Sequence, residues 1–173
     1  TLRLTPPLTS DLYVQMTEAL MSRFGVKPTA LDEHQPGHVV PSDRPYRATR
    51  LTIEPDASNA NYFLAAAALI DTARCHVEGL GDASVQGDAW FTDLVLEQMN
   101  ADTTTDDHWT TVVGAPALKG IDVNLSDMPD MAQTLAVLAL FAKGKTTMRG
   151  IANLRVKETD RIAAMRNELE KLG

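Results

Sequence analysis

The chain has 173 residues, 44% of them apolar and 23% charged, with a net charge of −7, enough to bury one respectable core or two small ones. The acidic balance argues against a nucleic-acid binder. The longest apolar run, 135–142, falls well short of a membrane span, and the single cysteine, Cys75, excludes an internal disulfide and a cysteine-rich zinc site.

In chain order, the first residues read as a strand, followed by an amphipathic helix over 11–25 that closes on Phe24 and Gly25. Strands are expected near 37–40 and 46–53. The Pro- and Asp-rich link Glu54-Pro55-Asp56 marks a domain boundary, giving one domain at 1–53 and another at 54–173. Residues 58–70 form an Ala-rich helix whose apolar character predicts burial on most sides. A strand at 74–78, a turn at Gly79 and a polar loop lead to an amphipathic helix over 89–100. Residues 102–114 and 121–125 are β-branched or alternating and read as two strands. A second buried helix spans 130–142, a strand follows at 146–149, and an amphipathic helix over 160–173 ends the chain.

Segments 56–100 and 129–173 follow one plan: polar start, Ala-rich helix, short strand, Gly turn, loop, amphipathic helix. The copies lie about 72 residues apart, the spacing of a repeat architecture. The last helix has no strand after it, so the sequence reads as a piece of a longer protein.

Charge is unevenly spread. Residues 143–173 hold 8 of the 16 basic residues against four acids, so this segment is +4 and the rest −11. A local basic cluster in an acidic chain suits a small anion. Its densest part is 153–162, where Asn153, Arg155, Lys157, Glu158, Asp160 and Arg161 crowd a loop-to-helix transition. On that helix Lys157 and Arg161, four apart, share a face, with Glu158 beside Arg161 at three apart. Ile162, Met165, Leu169 and Leu172 would face a core. Helix N–H groups and the helix dipole add positive potential there.

The run PDMAQTLAVLALFAKGKTTMRGIANLRVKETDRI at 129–162, with DASNANYFLAAAAL at 56–69 and SVQGD at 84–88, resembles the 5-enolpyruvylshikimate-3-phosphate synthase family. The RVKETDR motif is the specific part; the Ala-rich helices alone are not. The resemblance implies an α/β (α+β) fold of repeated βαβαββ units, the two-domain enolpyruvyl transferase fold (an inside-out α/β barrel), incomplete in this chain. Residues 1–53 would then end the first-encountered domain, and 54–173 would supply one repeat unit and the start of the next.

The implied activity moves the enolpyruvyl group of phosphoenolpyruvate to the 5-hydroxyl of shikimate 3-phosphate and releases phosphate. It requires no metal and no organic cofactor. Matched residue by residue, Asp130 takes the substrate hydroxyl proton and Glu158 protonates the methylene group. Ser10, Tyr13, Asp130, Asn153 and Lys157 contact shikimate 3-phosphate, and Arg161 holds the phosphoenolpyruvate carboxylate. Ser10-Asp11-Leu12-Tyr13 departs from the family's S-x-P-Y pattern through Leu12 and Asp11, which weakens the Tyr13 match. Without the family, each residue has a plainer reading: helix-start chemistry for Asp130, a salt bridge with Arg161 for Glu158, an N-cap for Ser10, a core aromatic for Tyr13.

Gln86 and Asp88 read as structural, as do Asp56, Ser58 and Asn59. Cys75 reads as inert. His34 and His38 are four apart, but Pro36-Gly37 between them breaks any helix and speaks against a metal site. The resemblance further implies small-molecule partners only, with no nucleic acid and no membrane. It implies a monomer when full length, a cytoplasmic location with a plastid as the alternative, and an active site completed by the rest of the chain. Two alternatives stand: the sister enzyme acting on UDP-N-acetylglucosamine, which lacks the RVKETDR run, and a non-catalytic binding domain of the same fold.

Overall fold

A computed structural model of the chain describes residues 1–5, 10–31 and 36–173. The chain divides into two compact units, Thr1–Ile53 and Glu54–Gly173.

In the first unit, helix α1 (Asp11–Arg23) accompanies a small antiparallel sheet. Its strands β1 (Leu2–Arg3), β2 (Thr29–Ala30) and β3 (Gly37–Val39) lie in the order β1-β3-β2. His38 on β3 pairs with Glu18 of α1. The strand expected over 46–53 does not form. Most of these residues are exposed, and the nearby chain is tied back by Arg47 N–H to the Phe24 carbonyl at 2.8 Å. Among the described residues this segment pairs with no strand, and strand-like composition does not make a strand without a partner to take its hydrogen bonds.

The second unit holds the main core. Helix α2 (Ala57–Leu69) is capped by Asp56, whose Oδ1 accepts the Asn59 N–H at 3.0 Å. Strand β4 (Arg74–Glu78) follows and turns Cys75 and Val77 inward. The expected helix over 89–100 is irregular: a 3₁₀ turn (Gly87–Trp90) runs into a π-helical stretch (Thr92–Leu96). That widening puts Phe91, Val95, Leu96 and Met99 all in the core at 0% exposure.

Residues 102–114 form a hairpin and not one strand. β5 (Asp102–Thr105) and β6 (Trp109–Val113) pair antiparallel, and β6 also pairs with β4, giving the order β4-β6-β5. The turn is set by Asp106, whose Oδ1 accepts the N–H groups of His108 at 2.7 Å and Trp109 at 2.9 Å.

Strand β7 (Asp122–Asn124), helix α3 (Ala132–Phe141) and strand β8 (Thr147–Arg149) make a βαβ unit in which β7 and β8 pair in parallel. After β8 come a 3₁₀ helix (Ala152–Val156) and helix α4 (Arg161–Leu169). The repeat survives in backbone detail: Gly79 after β4 and Gly150 after β8 both turn with left-handed φ, 78° and 74°.

Neither Ala-rich helix is buried on most sides. Leu64, Ala65 and Ala68 of α2, with Ala132, Leu135 and Leu138 of α3, enter the core. Phe63 is 68% exposed and Phe141 65%. The two helices lie against each other and share one buried side, and among the described residues their outer faces meet water. Tyr13, the expected core aromatic, is 40% exposed, because α1 buries no residue fully. On α4, Ile162 and Met165 pack against the core, but Leu172, beyond its end, is exposed.

Candidate active site

The charged motif folds differently from a continuous helix. Helix α4 begins only at Arg161, capped by Asp160, whose Oδ1 accepts the Ala163 N–H at 3.0 Å. Lys157 and Glu158 therefore lie on the loop before the helix, and Lys157 is the extended residue that ends the preceding 3₁₀ turn. Asp160 is a strong N-cap, and a helix starts where its first N–H groups find an acceptor. The expected shared helix face of Lys157 and Arg161 is absent, yet the loop brings the same groups together.

Asp130 sits in the 3₁₀ turn Pro129–Met131 that leads into α3. Pro129 and Met131 are buried and fix this turn. The Asp130 carboxylate, 23% exposed, accepts Arg161 Nη1 at 2.7 Å and lies 3.4 Å from Lys157 Nζ. Arg161 uses its other edge on Glu158, donating Nε to Oε1 and Nη2 to Oε2, both at 2.8 Å. One guanidinium thus bridges two carboxylates through three N–H groups, a geometry lysine lacks.

The electrostatics follow from these contacts. The hydrogen bond from Arg161 holds the Glu158 carboxyl below the usual carboxylate range. The hydrogen bond to Glu158, and then the charge of Asp130, raise Arg161 above its ordinary value. Both Glu158 carboxylate oxygens are taken up by Arg161 in this arrangement.

Asn153 lies half-buried in the 3₁₀ turn ahead of the loop. Ser10 and Tyr13 belong to the first unit, where they are neighbours: the Tyr13 N–H donates to the Ser10 carbonyl at 3.1 Å. Ser10 stands at the N-cap position of α1 in a left-handed conformation, φ 60°, and makes no side-chain cap bond. The structure thus joins Asp130, Lys157, Glu158 and Arg161 directly.

Behind this group lies a buried polar layer. Asp88 is 5% exposed and accepts Ser58 Oγ–H. The Asp88 carbonyl accepts Asn61 Nδ2–H at 2.6 Å, and the same amide reaches Met131 Sδ at 3.2 Å. Gln86 joins the layer through the Ala57 N–H at 2.9 Å and the Pro55 carbonyl at 2.7 Å. These bonds give Gln86 and Asp88 the structural part read from the sequence. Asp88 also has an electrostatic part that the sequence did not reveal. Burial, foremost, pushes its carboxyl up, as do the charges of Asp130 and Asp56, while Ser58 and Lys157 act the other way. Asp88 therefore lies within the field of the candidate site.

Elsewhere, burial raises the Cys75 thiol, which keeps it a poor nucleophile. Among the described residues no group of three or more His, Cys, Asp or Glu side chains is placed to hold a metal ion. His34 lies outside the described residues. Among them no helix is long and apolar enough to cross a membrane.

A repeat-built α+β unit with a cation cluster at a loop-to-helix junction is suited to holding small anions. Comparison narrows the reading. The sequence profile of EPSP synthase (3-phosphoshikimate 1-carboxyvinyltransferase) matches residues 1–173, and the chain belongs to this family. It is 45% identical over 167 residues to the 3-phosphoshikimate 1-carboxyvinyltransferase of Shewanella oneidensis, covering 96% of this chain and 38% of that protein. A 3-phosphoshikimate 1-carboxyvinyltransferase of Nicotiana tabacum is 46% identical over 177 residues, covering 96% of this chain and 51% of that one. The solved structure of EPSP synthase from Acinetobacter baumannii superposes with a TM-score of 0.71 at 26% identity, over 89% of this chain and 36% of that one. The chain thus spans about two fifths of the length of the bacterial relative it matches.

Proposed function

We propose that the full-length protein carrying this chain transfers the enolpyruvyl group of phosphoenolpyruvate to the 5-hydroxyl of shikimate 3-phosphate, with release of phosphate. The observation that carries the reading is the three-way contact of Asp130, Arg161 and Glu158, with Lys157 on the same carboxylate. It sits within the motif that the family resemblance assigns to this chemistry.

Asp130 accepts the proton of the attacking hydroxyl. One of its oxygens faces both Arg161 and Lys157. Arg161 holds the phosphoenolpyruvate carboxylate through its fork, and this carboxylate takes the place of Glu158. Glu158, released from its hydrogen bond, takes a proton from solvent and delivers it to the methylene carbon as the hydroxyl oxygen bonds to the neighbouring carbon; it takes a proton back from the resulting methyl group as the carbon–oxygen bond to phosphate breaks, which restores the enol and releases phosphate. Lys157 and Asn153 meet shikimate 3-phosphate, and the family resemblance assigns Ser10 and Tyr13 to the same ligand. Neither substrate demands a metal or cofactor in this scheme. The 173-residue chain alone does not turn over, because the family draws further cations from segments outside it. The protein acts in the cytoplasm, or in a plastid if its source is a plant, and works as a monomer.

The test is substitution in the full-length protein. Asp130→Asn and Glu158→Gln each lower kcat by about 10²–10⁴-fold, the range for a general acid or base. Unchanged rates in both variants would overturn the acid and base roles given to these carboxylates.

A further inference from the structure

Lys157 and Glu158 carry the chemistry proposed above, yet they stand on a loop outside any helix, where side chains are hard to hold in one direction. At its start the loop is anchored by Leu154, which is 0% exposed, and by the Leu154 N–H bond to the Ile151 carbonyl at 3.1 Å. Its far end is the cap of α4.

The two ends are tied directly. Arg155 Nη1 donates to Asp160 Oδ2 at 3.0 Å while Asp160 Oδ1 caps the Ala163 N–H at 3.0 Å. The Asp160 carbonyl accepts the Ala164 N–H at 2.9 Å, so its backbone is already helical in its bonding. One carboxylate therefore closes the loop and starts the helix at once. Val156, inside the closed segment, points to solvent at 83% exposure, and Lys157 and Glu158 turn to Asp130 and Arg161.

We propose that Arg155 and Asp160 form a clamp that positions Lys157 and Glu158, and that Arg155 thereby acts on the reaction without touching a substrate. This rests on the roles given above to Lys157 and Glu158. The Ala163 N–H, and then Arg155, hold the Asp160 carboxyl below its usual range, so the clamp is charged throughout the neutral range. Arg155 is the cation of the motif turned toward the cap and not toward Asp130.

The experiment uses the full-length protein and three variants: Asp160→Asn, Arg155→Met and the double. Asparagine caps a helix as well as aspartate does, so Asp160→Asn keeps the cap and loses only the ion pair. Methionine keeps the apolar part of the arginine stem. Each single variant is expected to lose about three- to fivefold in kcat/KM for shikimate 3-phosphate, the scale of one exposed ion pair. The double variant loses no more than either single, because both remove the same contact. Asp160→Asn lowers the melting temperature slightly, through the lost ion pair alone, whereas Asp160→Ala lowers it further through loss of the cap.

Losses that multiply in the double variant overturn the clamp. So does unchanged kcat/KM in Asp160→Asn. A loss confined to Arg155→Met makes Arg155 a substrate contact and also overturns it. Absence of turnover in the unsubstituted protein speaks against the reaction itself. The clamp is then read from the urea midpoints of the same three variants, where additive shifts refute it and non-additive ones support it.

Discussion

Replacing Arg161 by lysine in the full-length protein keeps the charge and removes the fork. Arg161 now makes three hydrogen bonds, one to Asp130 at 2.7 Å and two to Glu158 at 2.8 Å. Glu158 is 65% exposed, so its share in folding stability is small, while Asp130 and Arg161 are 23% and 24% exposed. Lysine can keep one charged contact to Asp130, so stability falls by at most about 1 kcal/mol. Substrate binding is affected more. A carboxylate gripped by two parallel N–H groups loses one charge-assisted bond, about 1.5–3 kcal/mol, which is about ten- to a hundredfold in kcat/KM for phosphoenolpyruvate. The assay is steady-state phosphate release, varying each substrate with the other saturating, with a melting curve as control. A change below threefold would refute the fork. So would an equal rise in KM for shikimate 3-phosphate, since Arg161 would then support the whole site and not one carboxylate.

The same contacts make further predictions. Leu135→Ala removes a fully buried core side chain and should cost about 2–5 kcal/mol by urea unfolding. Asp56→Ala removes the cap of α2 and should cost about 0.5–2 kcal/mol by the same measurement. Gly114→Ala would place a Cβ against the Ile70 and Ala67 carbonyls, so it should destabilise the end of α2, seen as faster amide exchange there. Glu158 and Asp160 have carboxyls lowered in the folded state. Their stabilisation is therefore complete above the ordinary carboxylate range and is lost as pH falls through their lowered values. Asp88 is raised, so the folded state gains from it as pH falls. The stability of Asp88→Asn relative to the unsubstituted protein should therefore decrease from pH 7 to pH 4.

Some features were legible in the sequence because their cause is local. Strand β4 alternates Arg74, His76 and Glu78 with Cys75 and Val77, and the structure gives it the expected bounds. Gly79 and Gly150 recur at matching places in the repeat and adopt the same left-handed turn. Other features depend on partners that one sequence does not display. Residues 46–53 have strand-like composition, but among the described residues they pair with no strand. The outer faces of α2 and α3 look like core residues, and only packing shows that Phe63 and Phe141 are exposed. The Asp106 turn was hidden inside a β-branched run. At the site, the residue identities and a helix from Asp160 were legible, but the shared helix face of Lys157 and Arg161 does not form, because Asp160 caps the helix and leaves Lys157 and Glu158 on a loop. Asp88 was legible as a structural residue, and the pull of Asp130 and Lys157 on its carboxyl depends on distances across the fold.

The most direct test of the central claim is phosphate release from phosphoenolpyruvate by the full-length protein, with shikimate 3-phosphate or UDP-N-acetylglucosamine as acceptor. Turnover with shikimate 3-phosphate alone is the predicted result. Turnover with the sugar nucleotide, or with neither acceptor, would contradict it.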